Sequence, residues 1–248
     1  MYNNDHGQQP NRMVLEEQQG ELELRSALYL AKVMGWMCVG LLTTVVAAMA
    51  CLNVPAIFTM VFGSGFGVMG IFVAQILVVI MLSSMINKMS PAMATVMFMV
   101  YAGLMGLTMS VFVLAYELAS LLTAFGVATF VFLTMAVYGF TTKKDLTGIG
   151  RLAFFGLLGV ILAGVVNFVF LRNTLMDFAV TCIGIVVFIG LTAYDTQKIK
   201  HIYQTATVGG YDEDSDELRK LAIFGALTLY LDFINLFLKL LRLLGRRR

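Results

Sequence analysis

Seven apolar runs, each near the length that crosses a hydrocarbon core, divide most of the 248 residues and leave few folds open. They cover residues 29–52, 66–86, 92–115, 118–140, 152–171, 175–197 and 221–241. About 20 apolar residues span a bilayer as a helix, whereas membrane β-barrels need strands of about ten alternating residues. These runs do not alternate. Only 13% of the chain is charged and its mean hydropathy is +0.86, against about 25% charged in soluble domains. On water-facing surface so much apolar area would form large exposed patches. The sequence therefore predicts an all-α integral membrane protein. It divides into a polar N-terminal segment (1–28), a seven-helix transmembrane domain (29–244) and a basic tail (245–248).

Orientation follows from the lysines and arginines. With the N-terminus in the cytoplasm, eleven of the seventeen fall inside, from Arg12 and Arg25 through Lys143, Lys144 and Arg151 to Arg219 and Lys220. Arg172 falls outside, and so do five near the C-terminus: Lys239, Arg242, Arg246, Arg247 and Arg248. The tail opposes the rule, so the seventh segment either crosses or enters without crossing. The first 28 residues lack the apolar core of a signal peptide. Net charge is +2, too small to imply a nucleic-acid partner. Cys38, Cys51 and Cys182 lie in apolar runs without CxxC spacing and read as packing residues.

Two aspartates interrupt the apolar pattern: Asp195 in GLTAYDTQKIK and Asp232 in LTLYLDFINLFLKLL. A carboxylate inside a span costs roughly 2.5–3.5 kcal/mol on insertion scales, so it persists where it faces a partner, a cavity or an ion path. Asp195 lies five residues before Lys200 and Asp232 eleven after Leu221, which is about 8 Å and about 16 Å along straight helices. A polar extension of the last helix below the membrane would bring these depths together. If the two meet, they cannot both ionise cheaply, so they share a proton and titrate as a unit. Deprotonation then adds repulsion and leaves oxygens able to coordinate Ca²⁺. The structural alternative is that each aspartate bonds to a neighbouring hydroxyl, from Thr192, Thr196 or Tyr230, and only fixes packing. Asn235 and Lys88 are further accessory candidates.

Other signals are weaker. Glu117, between the third and fourth runs, reads as an interfacial carboxylate or an outer vestibule ligand. Gly65, Gly67 and Gly70 match GxGxxG, but they open a membrane helix where a dinucleotide site needs a preceding strand. His6 and His201 have no ligand spacing. The acidic run 211–217 lacks the glycine and alternation of a Ca²⁺-binding loop and reads as a solvated linker. No residue set for enzymatic chemistry stands out, so no enzyme activity and no tightly bound cofactor are expected.

Four strings carry a resemblance: NKMSPA at 87–92, MAVYGFTTKKDLTGIG at 135–150, GLTAYDTQKIK at 190–200 and ALTLYLDFINLFLKLLRLLG at 226–245. With them the chain resembles a bacterial member of the Bax inhibitor-1 (transmembrane Bax inhibitor motif) family. The resemblance implies a seven-helix bundle with a central C-terminal helix wrapped by the other six. It also implies a pH-sensitive calcium leak governed by a paired-aspartate sensor, which falls by motif on Asp195 and Asp232. Many relatives carry an arginine just before the NK(M/L)S string; here Met85 stands there, and the nearest cation is Lys88.

The sequence thus points to a Ca²⁺-permeable leak gated by protonation of Asp195 and Asp232, with the bilayer, Ca²⁺ and protons as its partners. The rival is a non-conducting regulator that binds other membrane proteins, such as a membrane protease. A proton-coupled transporter would need a substrate site that the sequence does not display. A bacterial inner membrane with the N-terminus cytoplasmic is the expected location.

Overall fold

The computed structural model describes residues 9–63, 65–212 and 215–248. His6 lies outside the described residues, as do Glu213 and Asp214 of the acidic run. Eight α-helices are described: α1 (Gln9–Asn53), α2 (Pro55–Phe62), α3 (Gly65–Met85), α4 (Pro91–Ala115), α5 (Leu118–Thr141), α6 (Thr147–Val166), α7 (Thr174–Val208) and α8 (Asp216–Leu244). Seven of them are long and apolar enough to cross a membrane, and α2 is a single short helix between α1 and α3.

Local chemistry sets the helix ends. Ser90 accepts a hydrogen bond from the Met93 N–H at the start of α4, with Pro91 in the first turn. Asn173 caps α7 through the N–H groups of Leu175 and Met176, and Ser215 caps α8 through that of Leu218. A π-helical turn, Asn167–Leu171, closes α6; the Asn167 side chain bonds both backbone groups of Asn173 and so fixes the α6–α7 corner.

Several helices run beyond the apolar runs. α1 begins at Gln9 and α7 continues to Val208, both past the polar residues that mark the predicted boundaries. Once a span has nucleated the helix, each further residue adds a hydrogen bond at little cost, so polar sequence extends it into water. Tyr29 shows what this extension supports. Its ring stacks on Tyr203 at 4.7 Å and its hydroxyl donates to the Leu218 carbonyl, tying α1, α7 and α8 together.

The C-terminal helix is central and the most buried of the spans. It packs directly on α1, α4, α5 and α7, whereas α3 packs mainly on α4 and α6 on α7. The wrap is therefore partial: four helices cover α8, and α3 and α6 stand one layer out. On the covered side, the Tyr230 hydroxyl lies 2.7 Å from the Thr44 hydroxyl, and the rings of Phe98 and Tyr101 meet the Tyr230 ring edge-on.

α8 also crosses the whole bundle. Its first turn sits beside Tyr29, and its far end reaches the α4–α5 turn, where Tyr116 pairs with Arg247. The Glu117 N–H donates to the Arg246 carbonyl and the Arg248 N–H to the Ala115 carbonyl. α8 is long and apolar enough for the crossing alternative, and it runs the length of the bundle. Below, the tail end denotes this side, and the basic-loop end the side carrying Lys143, Lys144, Lys198 and Lys200.

Candidate functional site

The strings at 135–150 and 190–200 form one clamp at the basic-loop end. Gln197 accepts the Leu146 N–H at 2.9 Å and donates to the Lys144 carbonyl at 2.8 Å, which holds the α5–α6 loop against α7. Lys200 donates to the Phe140 carbonyl and lies 4.6 Å over the Phe140 ring. Close approach needs glycine here: a Cβ at Gly139 would collide with the Ala193 carbonyl, and one at Gly150 with the Tyr194 ring. In the same loop the Thr147 hydroxyl and N–H both donate to Asp145. These bonds hold the Asp145 carboxyl below the ordinary carboxylate range.

The clamp fixes the register of α7 and so the position of Asp195, two residues before Gln197. Asp195 and Asp232 are both buried, at 9% and 5% exposure, and their carboxyl groups are within hydrogen-bonding reach of each other. An ionised carboxylate only accepts, so a bond between two carboxyls requires a proton on one of them. One oxygen, Asp232 Oδ2, is buried without any hydrogen-bond partner. Such an orphan is costly in a low-dielectric interior.

The hydroxyls offered as structural partners point elsewhere. Thr192 donates to the Phe188 carbonyl, Thr196 to the Thr192 carbonyl, and Tyr230 is paired with Thr44. Threonine in a helix bonds its own preceding turn readily, which removes both residues from the aspartates. The packing-only alternative thus loses its partners. Met85 and Lys88 are exposed at the end of α3, and neither lines the aspartate cavity. The basic group facing Asp195 is instead Lys198, one turn further along α7. Glu117 is exposed at the start of α5, remote from the pair, where its backbone holds the tail. Gly65 opens α3 directly after a helix and a turn, so the GxGxxG pattern lacks the strand it needs.

A cavity of about 1220 Å³ lies between α8 and α6, which forms its outer wall together with Phe72 of α3 without packing directly on α8. Both aspartates line it, with Arg151 and Lys198 toward the basic-loop end and Asn235 and Lys239 toward the tail end. Asp195 also borders a crevice of about 20 Å³ between α1, α7 and α8, lined by Tyr29, Lys198 and Thr228. Asp195 thus borders both a wide space and a narrow one, and Asp232 the wide one. Among the described residues no group of three or more His, Cys, Asp or Glu converges as a metal site.

A family model described as "Inhibitor of apoptosis-promoting Bax1" matches residues 26–248. The chain belongs to the Bax inhibitor-1 family. Among members of this family, it is 46% identical over 220 residues to the Escherichia coli "Inner membrane protein YbhL", covering 89% of this chain and 92% of that protein. It is 43% identical to RP147 of Rickettsia prowazekii over 89% of this chain and 90% of that one. A Borreliella burgdorferi protein is 38% identical over 89% and 92%. The Bax inhibitor-1 assignment agrees with the all-α, seven-span architecture above.

Lys198, Arg151 and Lys239 line the cavity and were absent from the sequence-derived set. Helical spacing holds the signal that finds two of them: Lys198 is three residues beyond Asp195, and Lys239 seven beyond Asp232.

Proposed function

We propose that this protein is a proton-gated cation leak of a bacterial inner membrane, with Ca²⁺ as the physiological permeant ion and the N-terminus in the cytoplasm. The observation that carries the reading is the Asp195–Asp232 contact on the cavity wall, with its orphaned oxygen; in this reading the pair forms a neck that joins the cavity to the crevice beyond Asp195. While the pair holds its proton, α7 and α8 are clasped and the neck is closed. Loss of that proton places two negative charges side by side in a medium where repulsion is several-fold stronger than in water. The helices then separate, or a cation enters to bridge the carboxylates, and both outcomes open the neck.

The inner-membrane location follows the name of the Escherichia coli relative, and the N-in orientation follows the excess of lysine and arginine at the basic-loop end. Reconstitution into liposomes carrying a Ca²⁺ indicator tests the proposal. The wild type passes Ca²⁺ at a rate that changes with pH, and Asp195→Asn or Asp232→Asn abolishes the pH response, because an amide mimics the protonated carboxyl. A wild type that passes no Ca²⁺ at any pH, yet co-purifies with a membrane protein such as a protease, would replace the leak by the regulator.

A further inference from the structure

We propose that Lys239 is the valence filter of this leak, a fixed positive charge on the tail side of the cavity that retards divalent cations more than monovalent ones. The inference rests on the leak reading above.

A lysine within a span is costly and ordinarily snorkels its ammonium to the interface. Lys239 does not lie free at the surface; it is half-buried and lines the cavity that holds the aspartates. Its stem crosses α7 at Gly184, where an added Cβ would stand 3.0 Å from the lysine Cε and 3.2 Å from its Cδ. The missing side chain at Gly184 is the groove in which the lysine rests. Asp232, Asn235 and Lys239 follow one another at helical spacing on one face of α8, so the ammonium stem starts about 10 Å beyond the aspartate.

Two cations at this level, Lys239 and Arg242, share one acid, Asp177, which is bonded to Arg242 at 2.9 Å, so the group keeps a net positive charge. Among the described residues no carboxylate lies within ion-pair distance of the Lys239 ammonium. A cation moving between the tail end and the aspartates passes a net positive group. The repulsion felt by Ca²⁺ is twice that felt by K⁺, so the factor by which Ca²⁺ is slowed is the square of the factor for K⁺.

The test compares Ca²⁺ and K⁺ flux into phosphatidylcholine–phosphatidylglycerol vesicles for the wild type, Lys239→Met, Lys239→Arg and Gly184→Ala. Lys239→Met raises Ca²⁺ flux about tenfold and K⁺ flux about threefold, and Lys239→Arg retains the wild-type ratio. Gly184→Ala keeps every charge but crowds the stem out of its groove, and it shifts the ratio in the direction of Lys239→Met. A wild-type Ca²⁺ to K⁺ ratio in both Lys239→Met and Gly184→Ala overturns the filter while leaving the leak standing. A wild type that passes neither ion overturns both.

Discussion

The two sides of the C-terminal helix are built on opposite terms. On the covered side, Tyr230 is fully buried against α1 and α4; its hydroxyl meets Thr44, which also donates to backbone carbonyls of Gly40 and Ala102. Two residues on, Asp232 is equally removed from solvent but faces the cavity with one oxygen unpaired. Full hydrogen bonding marks the first side, and the cavity of about 500 Å³ there is lined by apolar side chains with Thr44. A larger cavity lined by charged side chains, an orphaned acceptor and a lysine without an ion pair among the described residues mark the second. The difference separates the residues that hold the bundle together from those that hold charge in its interior. A helix interior that tolerated poor pairing everywhere would not fold; among the described residues the deficit lies on the side where α6 stands off from α8.

Substitutions sharpen or break that division. The largest effect falls on glycine contacts of the covered side. At Gly106 a Cβ would meet the Thr44 carbonyl and the Ala47 methyl, so Gly106→Ala forces α4 off α1 and costs about 1–3 kcal/mol by thermal unfolding in detergent. Gly164, on the cavity wall, has nothing within 4 Å of an added Cβ, and Gly164→Ala is neutral or stabilising by about 0.5 kcal/mol. Equal losses at both positions would erase the distinction. Next comes the α5–α6 clamp. Gln197→Ala strips partners from the Leu146 N–H and the Lys144 carbonyl and costs about 1–3 kcal/mol, read as faster hydrogen exchange across residues 142–148.

Smaller still is the Tyr230–Thr44 pair. Hydrogen bonds between membrane helices average about 0.6 kcal/mol in double-mutant cycles, and the cycle of Tyr230→Phe with Thr44→Val reads that order while the pH response of flux survives. The smallest effect is at Asp145. Because its folded-state carboxyl titrates below the ordinary value near about 4, the support it gives the first turn of α6 is complete above that pH. That support fades as pH falls through the lowered value. Asp145→Ala removes this acid sensitivity from the exchange of the α5–α6 loop and leaves the spans untouched.

The spans and the aspartates were legible because both rest on composition: apolar length marks a helix in lipid, and a carboxylate inside one is conspicuous. Their meeting was legible only as geometry conditional on α8 starting early, which it does, at Asp216. What escaped depends on side-chain direction. Thr192 and Thr196 have the right spacing to serve Asp195, yet each bonds its own preceding turn, a local option that sequence spacing does not rank. Lys239 read as one of the basic tail residues because charge counts ignore which face a residue occupies; its groove at Gly184 lies on another helix, 55 residues earlier in the chain. The helical continuations from Gln9 and to Val208 were invisible to hydropathy because polar helix in water carries no apolar signal.

The central claim is that Asp195 and Asp232 act as one proton-holding unit that sets cation passage. Ca²⁺ flux in proteoliposomes across pH 5–9, measured for wild type, Asp195→Asn, Asp232→Asn and the double variant, tests it most directly. The account predicts that either single substitution flattens the pH profile and that the double variant matches the singles. Two independent, additive changes, or a wild-type profile surviving in any of the three, contradict it.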